Sequence, residues 1–128
     1  MRLLLDTHAF LWFVLDDPQL SQTARSLISD AGNHAEISPA VYWELAIKVG
    51  LGKYSLSEPI AEFMEREILT NRFEILPIEP RHVGPLTSLA FHHRDPFDRL
   101  LVAQAMIEGI PIVSADEALD AYPVVRLW

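Results

Sequence analysis

A chain of 128 residues with a formal net charge of −8 and 50% hydrophobic residues has the size of one domain, 1–128, able to bury a continuous core without disulfides or structural metals. It contains no cysteine, which excludes a disulfide framework and thiolate metal sites and fits a reducing compartment. The acidic balance argues against a nucleic-acid partner on electrostatics alone, because phosphate backbones are ordinarily held by basic surfaces.

The opening MRLLLDTHAFLWFVL sets one Arg before an apolar stretch, as a secretory leader does. Asp6 and His8 interrupt it, and Asp16, Asp17 and Pro18 follow where a small-residue cleavage site would lie. No stretch approaches the roughly 20 apolar residues of a membrane span. The expectation is an unprocessed, soluble, cytoplasmic chain with no membrane partner. The large apolar residues Trp12, Phe13, Trp43 and Trp128 raise the prospect of an oligomeric or partner interface.

In chain order, Arg2–Leu5 has the length and apolar content of a strand. Ser21 to Ala31 carries Ala24, Leu27, Ile28 and Ala31 on one helical stripe. A short run at Ala35–Ser38 follows, then the apolar helix Ala40 to Ile47, in which Glu44 shares a stripe with Ala40, Val41 and Ile47. Ile60 to Asn71 is amphipathic through Ile60, Phe63, Met64 and Ile68, and Phe73–Leu76 is a third strand. Asp95-Pro96 opens a helix whose Asp98 is in phase with Leu101, Val102 and Ala105. Ile110–Val113 and Val124–Leu127 complete five strand-length runs, most of them apolar at successive positions, as in strands covered on both faces. Strands alternating with helices predict an α/β three-layer sandwich, with a mainly parallel central sheet flanked by helices.

In such a sheet the functional crevice lies beyond the carboxyl ends of the strands. Asp6 directly follows the first run and Asp116 follows the fourth. Asp98 opens a helix that runs against the strands and so begins at the same end. Glu44 and Asp98 point toward packed structure, where a carboxylate needs a partner. With ten Lys and Arg in the chain, a shared cation is an economical partner for Asp6, Glu44, Asp98 and Asp116. Oxygen-only ligands suit Mg²⁺ or Mn²⁺, one or two ions, and phosphate ester chemistry. Bound cations also reverse the local charge, which with the basic run His92, His93, Arg94 and nearby Arg99 weakens the objection from net charge.

Each acid also has a structural reading. Asp6, Asp95 and Asp116 are good helix caps, Asp98 suits a first helical turn, and Glu44 with Lys48 forms an i,i+4 pair. The caps account for each position but not for their convergence. There is no Gly-rich phosphate loop and no nucleophile elbow. A phosphoacceptor receiver domain fits poorly, since the third run ends Leu76-Pro77-Ile78 and no Lys occurs beyond Lys53. A haloacid-type phosphatase would need an Asp at the position of His8.

Four segments, LLLDTHAFLW, SPAVYWELAIKVGLGKY, HHRDPFDRLLVAQA and IPIVSADEALDAY with its RLW ending, together resemble the PIN-domain nucleases, and among them the VapC-type toxins of bacterial toxin–antitoxin pairs. The resemblance spans nearly the whole chain. It implies Mg²⁺- or Mn²⁺-dependent endonucleolytic cleavage of RNA, homodimerisation, and inhibition by a cognate antitoxin. It maps the acidic site onto Asp6, Glu44, Asp98 and Asp116, with Asp6 and Asp98 as direct metal ligands and Thr7 and Ser114 as supporting hydroxyls. Asp95 is either a cap or a supporting group. RNA contacts are expected from Lys48, Lys53, Arg94 and Arg99, and no catalytic role is placed on His8 or His93. A PIN-like binding module that has lost catalysis is the alternative.

Overall fold

A computed structural model describes all residues 1–128. Five strands, β1 (Arg2–Leu5), β2 (His34–Ile37), β3 (Glu74–Ile75), β4 (Ile112–Val113) and β5 (Arg126–Leu127), form one sheet in the order β3-β2-β1-β4-β5. Every pairing is parallel, so the mainly parallel expectation becomes an entirely parallel sheet. Six helices join the strands: α1 (Thr7–Val14), α2 (Gln22–Ser29), α3 (Pro39–Gly50), α4 (Ile60–Thr70), α5 (Pro80–Val83) and α6 (Pro96–Glu108). Short 3₁₀ turns occupy Gly84–Thr87 and Glu117–Ala121.

The chain moves outward from β1 to β2 and β3, then crosses to β4 on the other side of β1. Parallel connections are right-handed, so this reversal sends the helices of the two halves to opposite faces and yields the α/β sandwich. It also sets a crevice between the carboxyl ends of β1 and β4. A receiver-type sheet would have the order 2-1-3-4-5, which this chain does not adopt.

β1 and β4 are buried along their apolar residues, Leu3, Leu4, Leu5, Ile112 and Val113. The edge strands depart from the expectation of two covered faces: Glu74 and Ile75 of β3 are exposed and β5 is half-buried. An edge strand has a neighbour on one side only, and both edges are shorter than the runs that suggested them. Helix boundaries fall close to expectation, with Ser21 as the N-cap of α2 and Asn71 as the C-cap of α4. Ala31 lies beyond α2, in a turn where the Gly32 amide donates to Asp30.

α6 is the central helix, with Leu101, Val102, Ala103, Gln104 and Ala105 all buried. It ends at Gly109, whose φ of 66° lies in the left-handed region that favours glycine. Trp12, Phe13 and Trp128 pack against the core, whereas Trp43 remains 58% exposed.

Candidate active site

Acidic caps gather at the carboxyl end of the sheet. Asp6 caps α1 by accepting from the Ala9 amide at 2.8 Å. Asp95 caps α6, accepting from the amides of Phe97 at 2.8 Å and Asp98 at 3.2 Å. Asp116 caps the 117–121 turn through the Ala118 amide at 3.1 Å. The structural reading therefore holds for all three, and it does not exhaust them, since a cap occupies only part of a carboxylate's accepting capacity.

Burial pushes the Asp6 carboxyl up, with the charge of Asp116 adding to the rise, while the Ser114 hydroxyl, the Ala9 amide and His8 pull it back. For Asp98, burial and then the charges of Asp95, Glu44 and Asp6 outweigh His93 and raise the carboxyl to about 6. Its side chain has no hydrogen bond or ion pair. Asp6, Glu44, Asp95 and Asp98 thus share one electrostatic field, with Asp116 coupled through Asp6.

Glu44 is 6% exposed. Its Oε1 accepts from the Thr7 hydroxyl at 2.5 Å and its Oε2 lies 3.2 Å from Lys48 Nζ. The buried stripe of α3 runs through Ala40, Val41, Glu44 and Leu45. Ile47, expected on that stripe, is 42% exposed and falls instead on an outer line with Trp43 and Leu51. The reason is helical phase: Trp43, Ile47 and Leu51 are successive i,i+4 neighbours. Burial opposes the charge of Lys48, but the hydrogen bond and charge of Glu44, with Tyr54 and Asp95, more than offset it and raise its pKa.

His93, on which the sequence placed no catalytic role, has a contact with Asp116 that sequence reasoning did not foresee. Its Nε2 lies 2.6 Å from Asp116 Oδ2, and its ring stacks on Tyr122. A histidine read singly carries no such signal, because its partner is 23 residues away. Ser114 is fully buried, and its hydroxyl accepts from the Asp116 amide at 3.0 Å. Arg94 and Lys53 are exposed. Arg99 requires a correction. It is 7% exposed, and its guanidinium donates to the carbonyls of Ala90 at 2.9 Å and Leu89 at 3.2 Å while lying 4.0 Å from the Phe91 ring centroid. With α6 buried on nearly every side, Arg99 is spent on bracing the preceding loop and is not available to RNA.

No three of the chain's Asp, Glu and His side chains are closed into a ready-made metal-ligand set. The carboxylates repel one another, and Glu44 and Asp116 are turned onto Lys48 and His93. The donor chemistry nevertheless fits a hard divalent cation. Asp6 and Asp98 are held toward the protonated form by burial and by neighbouring acids, and Asp98 lacks any basic partner. A cation there would remove that penalty.

The profile of the PIN domain family matches residues 3–125. No curated protein matches the sequence. Among solved structures, the chain is similar to one in VapBC2 from Rickettsia felis bound to a promoter DNA fragment, with 18% identity, TM-score 0.67, and coverage of 99% of this chain and 98% of that one. A chain of FitAcB from Neisseria gonorrhoeae matches with 18% identity, TM-score 0.65, and coverage of 98% and 96%. VapBC-1 from nontypeable Haemophilus influenzae matches at 14% identity, TM-score 0.59, and coverage of 99% and 97%. These likenesses bear on the fold. With the family profile covering 3–125 and the acids standing at the reversal point of the sheet, the chain belongs to the PIN domain family.

Proposed function

We propose that this protein is a divalent-metal-dependent endoribonuclease, the toxin of a bacterial toxin–antitoxin pair. The observation that carries the reading is the gathering of Asp6, Asp95, Asp98 and Asp116 at the carboxyl end of the sheet, where the Asp98 carboxylate has no hydrogen-bond or ion-pair partner of its own. Similarity to chains crystallised as VapBC and FitAcB supports a cognate antitoxin as partner. Asp6 and Asp98 would hold Mg²⁺ or Mn²⁺ directly, with Glu44 and Asp116 completing the set. When bound, such a cation supplies Lewis acidity to an attacking water and neutralises charge at the scissile phosphate.

The protein's own residues do the positioning. Thr7 fixes the Glu44 carboxylate through its hydroxyl, and the buried Ser114 hydroxyl fixes the Asp116 backbone. His93, the more buried of the two and stacked on Tyr122, holds Asp116 through its Nε2. Lys48, 27% exposed beside Glu44, and the exposed Arg94 and Lys53 would meet phosphates of the RNA strand. Homodimerisation is supported by the exposed outer line of α3 at Trp43, Ile47 and Leu51.

The test is cleavage of labelled single-stranded and structured RNAs with Mn²⁺ or Mg²⁺, with a chelator, and with the Asp6→Asn and Asp98→Asn variants. Chelator-sensitive cleavage leaving 5′-phosphate ends, and lost in both variants, is expected. A folded chain that takes up no divalent cation would overturn the mechanism and favour a PIN-fold binding module.

A further inference from the structure

A cleft of about 350 Å³ opens beside the acidic site, between α1, α3 and the segment 54–56. It is joined to that site by a chain of contacts. Lys48 Nζ lies 3.2 Å from Glu44 and 5.5 Å from the Tyr54 ring centroid, and the Tyr54 hydroxyl lies 3.1 Å from His8 Nε2. His8 stacks on Trp12 with ring centroids 5.2 Å apart and planes inclined by 29°. His8, Trp12 and Tyr54 therefore supply an aromatic wall, and Leu11, Leu45 and Val49 an apolar floor.

The cleft lining also carries polar side chains, Asp17, Gln19 and Ser55. Asp17 is fixed from two directions: its amide donates to the Trp12 carbonyl at 2.8 Å, and its Oδ1 accepts from the Gln19 amide at 2.8 Å. Its Oδ2 is unpaired. Unstacked RNA bases are held by aromatic side chains and read along their edges by hydrogen bonds. A carboxylate only accepts. Among the four bases, guanine alone presents two adjacent N–H donors on its Watson–Crick edge. Asp17 in the lining would repel a phosphate, and Lys48, against the Tyr54 ring, would attract one, which favours a nucleotide with its base on Asp17 and its phosphate on the Lys48 side.

We infer that this cleft is a guanine-binding subsite for the RNA strand, with Asp17 as its specificity-determining residue. The inference rests on the ribonuclease reading for its choice of strand, but binding can be measured without catalysis. With a chelator present, 5′-GMP, 5′-AMP, 5′-CMP and 5′-UMP are titrated against the full chain while the NMR signals of His8, Trp12 and Tyr54 are followed. GMP is expected to bind tightest and to shift these signals. Asp17→Asn keeps an acceptor for the Gln19 amide, and it should weaken GMP at least about fivefold, the lower end of what a bidentate base contact contributes, while leaving AMP unchanged. Val49→Phe narrows the cleft and should weaken every nucleotide.

The dinucleotide GpU should bind more tightly than GMP, because its phosphate reaches Lys48, and equal affinity would overturn the strand assignment. GMP binding no tighter than AMP, or shifts confined to residues outside the cleft, would overturn the subsite. Cation-dependent RNA cleavage without guanine binding would condemn the cleft alone. Guanine binding without cleavage would keep the cleft and condemn the ribonuclease reading.

Discussion

The Thr7 hydroxyl donates to Glu44 inside the protein, where neither group is open to water. Replacing it by an isosteric methyl leaves one buried carboxylate oxygen without its donor, and such a loss costs about 1–3 kcal/mol. Thr7→Val is therefore expected to lower the urea midpoint by an amount equivalent to that range. An unchanged midpoint would show that Lys48 satisfies Glu44 unaided. At this scale the sequence was informative about residue type and poor about orientation. Asp6, Asp95 and Asp116 were legible as caps because capping depends on neighbours within three residues. The inward turn of Arg99 and the contact of His93 with Asp116 were not, because the atoms that decide them come from residues 89–90 and 116.

Among the elements, α6 joins the two ends of the molecule. Its N-terminal turn presents Asp98 at the acidic site, and its last residue, Glu108, lies at the opposite end of the sheet. There Glu108 meets Arg2 at 3.0 Å, Arg81 at 2.5 Å and the fully buried His82 at 2.9 Å. An acid at a helix C-terminus is disfavoured by the helix dipole, and these donors outweigh that. The His82 hydrogen bond foremost, against the opposing effect of burial, and then Arg2 and Arg81 hold Glu108 below its usual 4.5. A lowered carboxylate pKa contributes stability that is present above the unfolded value and lost as pH falls through the folded one. The stability gap between the native chain and Glu108→Gln should accordingly be widest near neutral pH and shrink below about pH 4.5. Urea melts at several pH values measure it, and a gap independent of pH would contradict the role given to the charge. At the adjoining C-cap, an alanine side chain would meet nothing within 4 Å at Gly109, so only the positive φ opposes it. Gly109→Ala should cost roughly 1 kcal/mol in the same melts, the strain of a left-handed non-glycine residue.

Taken whole, the molecule is a parallel sheet whose strand order reverses beside β1, and that reversal sets the candidate site. Its outer surface carries one apolar line along α3, Trp43, Ile47 and Leu51, at 58%, 42% and 66% exposure, with the Trp43 ring edge-on to Phe97 at 5.1 Å. If this line is the dimer face, Ile47→Glu with Leu51→Glu should convert the protein to a monomer by light scattering, with the thermal midpoint of the isolated fold little changed. A dimer that survives both substitutions would place the interface elsewhere. No helix is long and apolar enough to cross a membrane.

The order of strands and helices followed from hydrophobic periodicity and local breakers, both properties of a few consecutive residues, and so the sequence alone determined the α/β class. It also determined the caps and the acids placed just past the strands, for the same local reason. Tertiary structure decided the rest: which strands became edges, the 3-2-1-4-5 order, the burial of Arg99, and the pairing of His93 with Asp116. It also decided that Glu44 and Asp116 rest on Lys48 and His93 and not in a closed acidic ring. Each of these depends on contacts between residues distant in the chain, where like charges separate and Arg99, Glu44 and His93 take the partners that packing brings within reach.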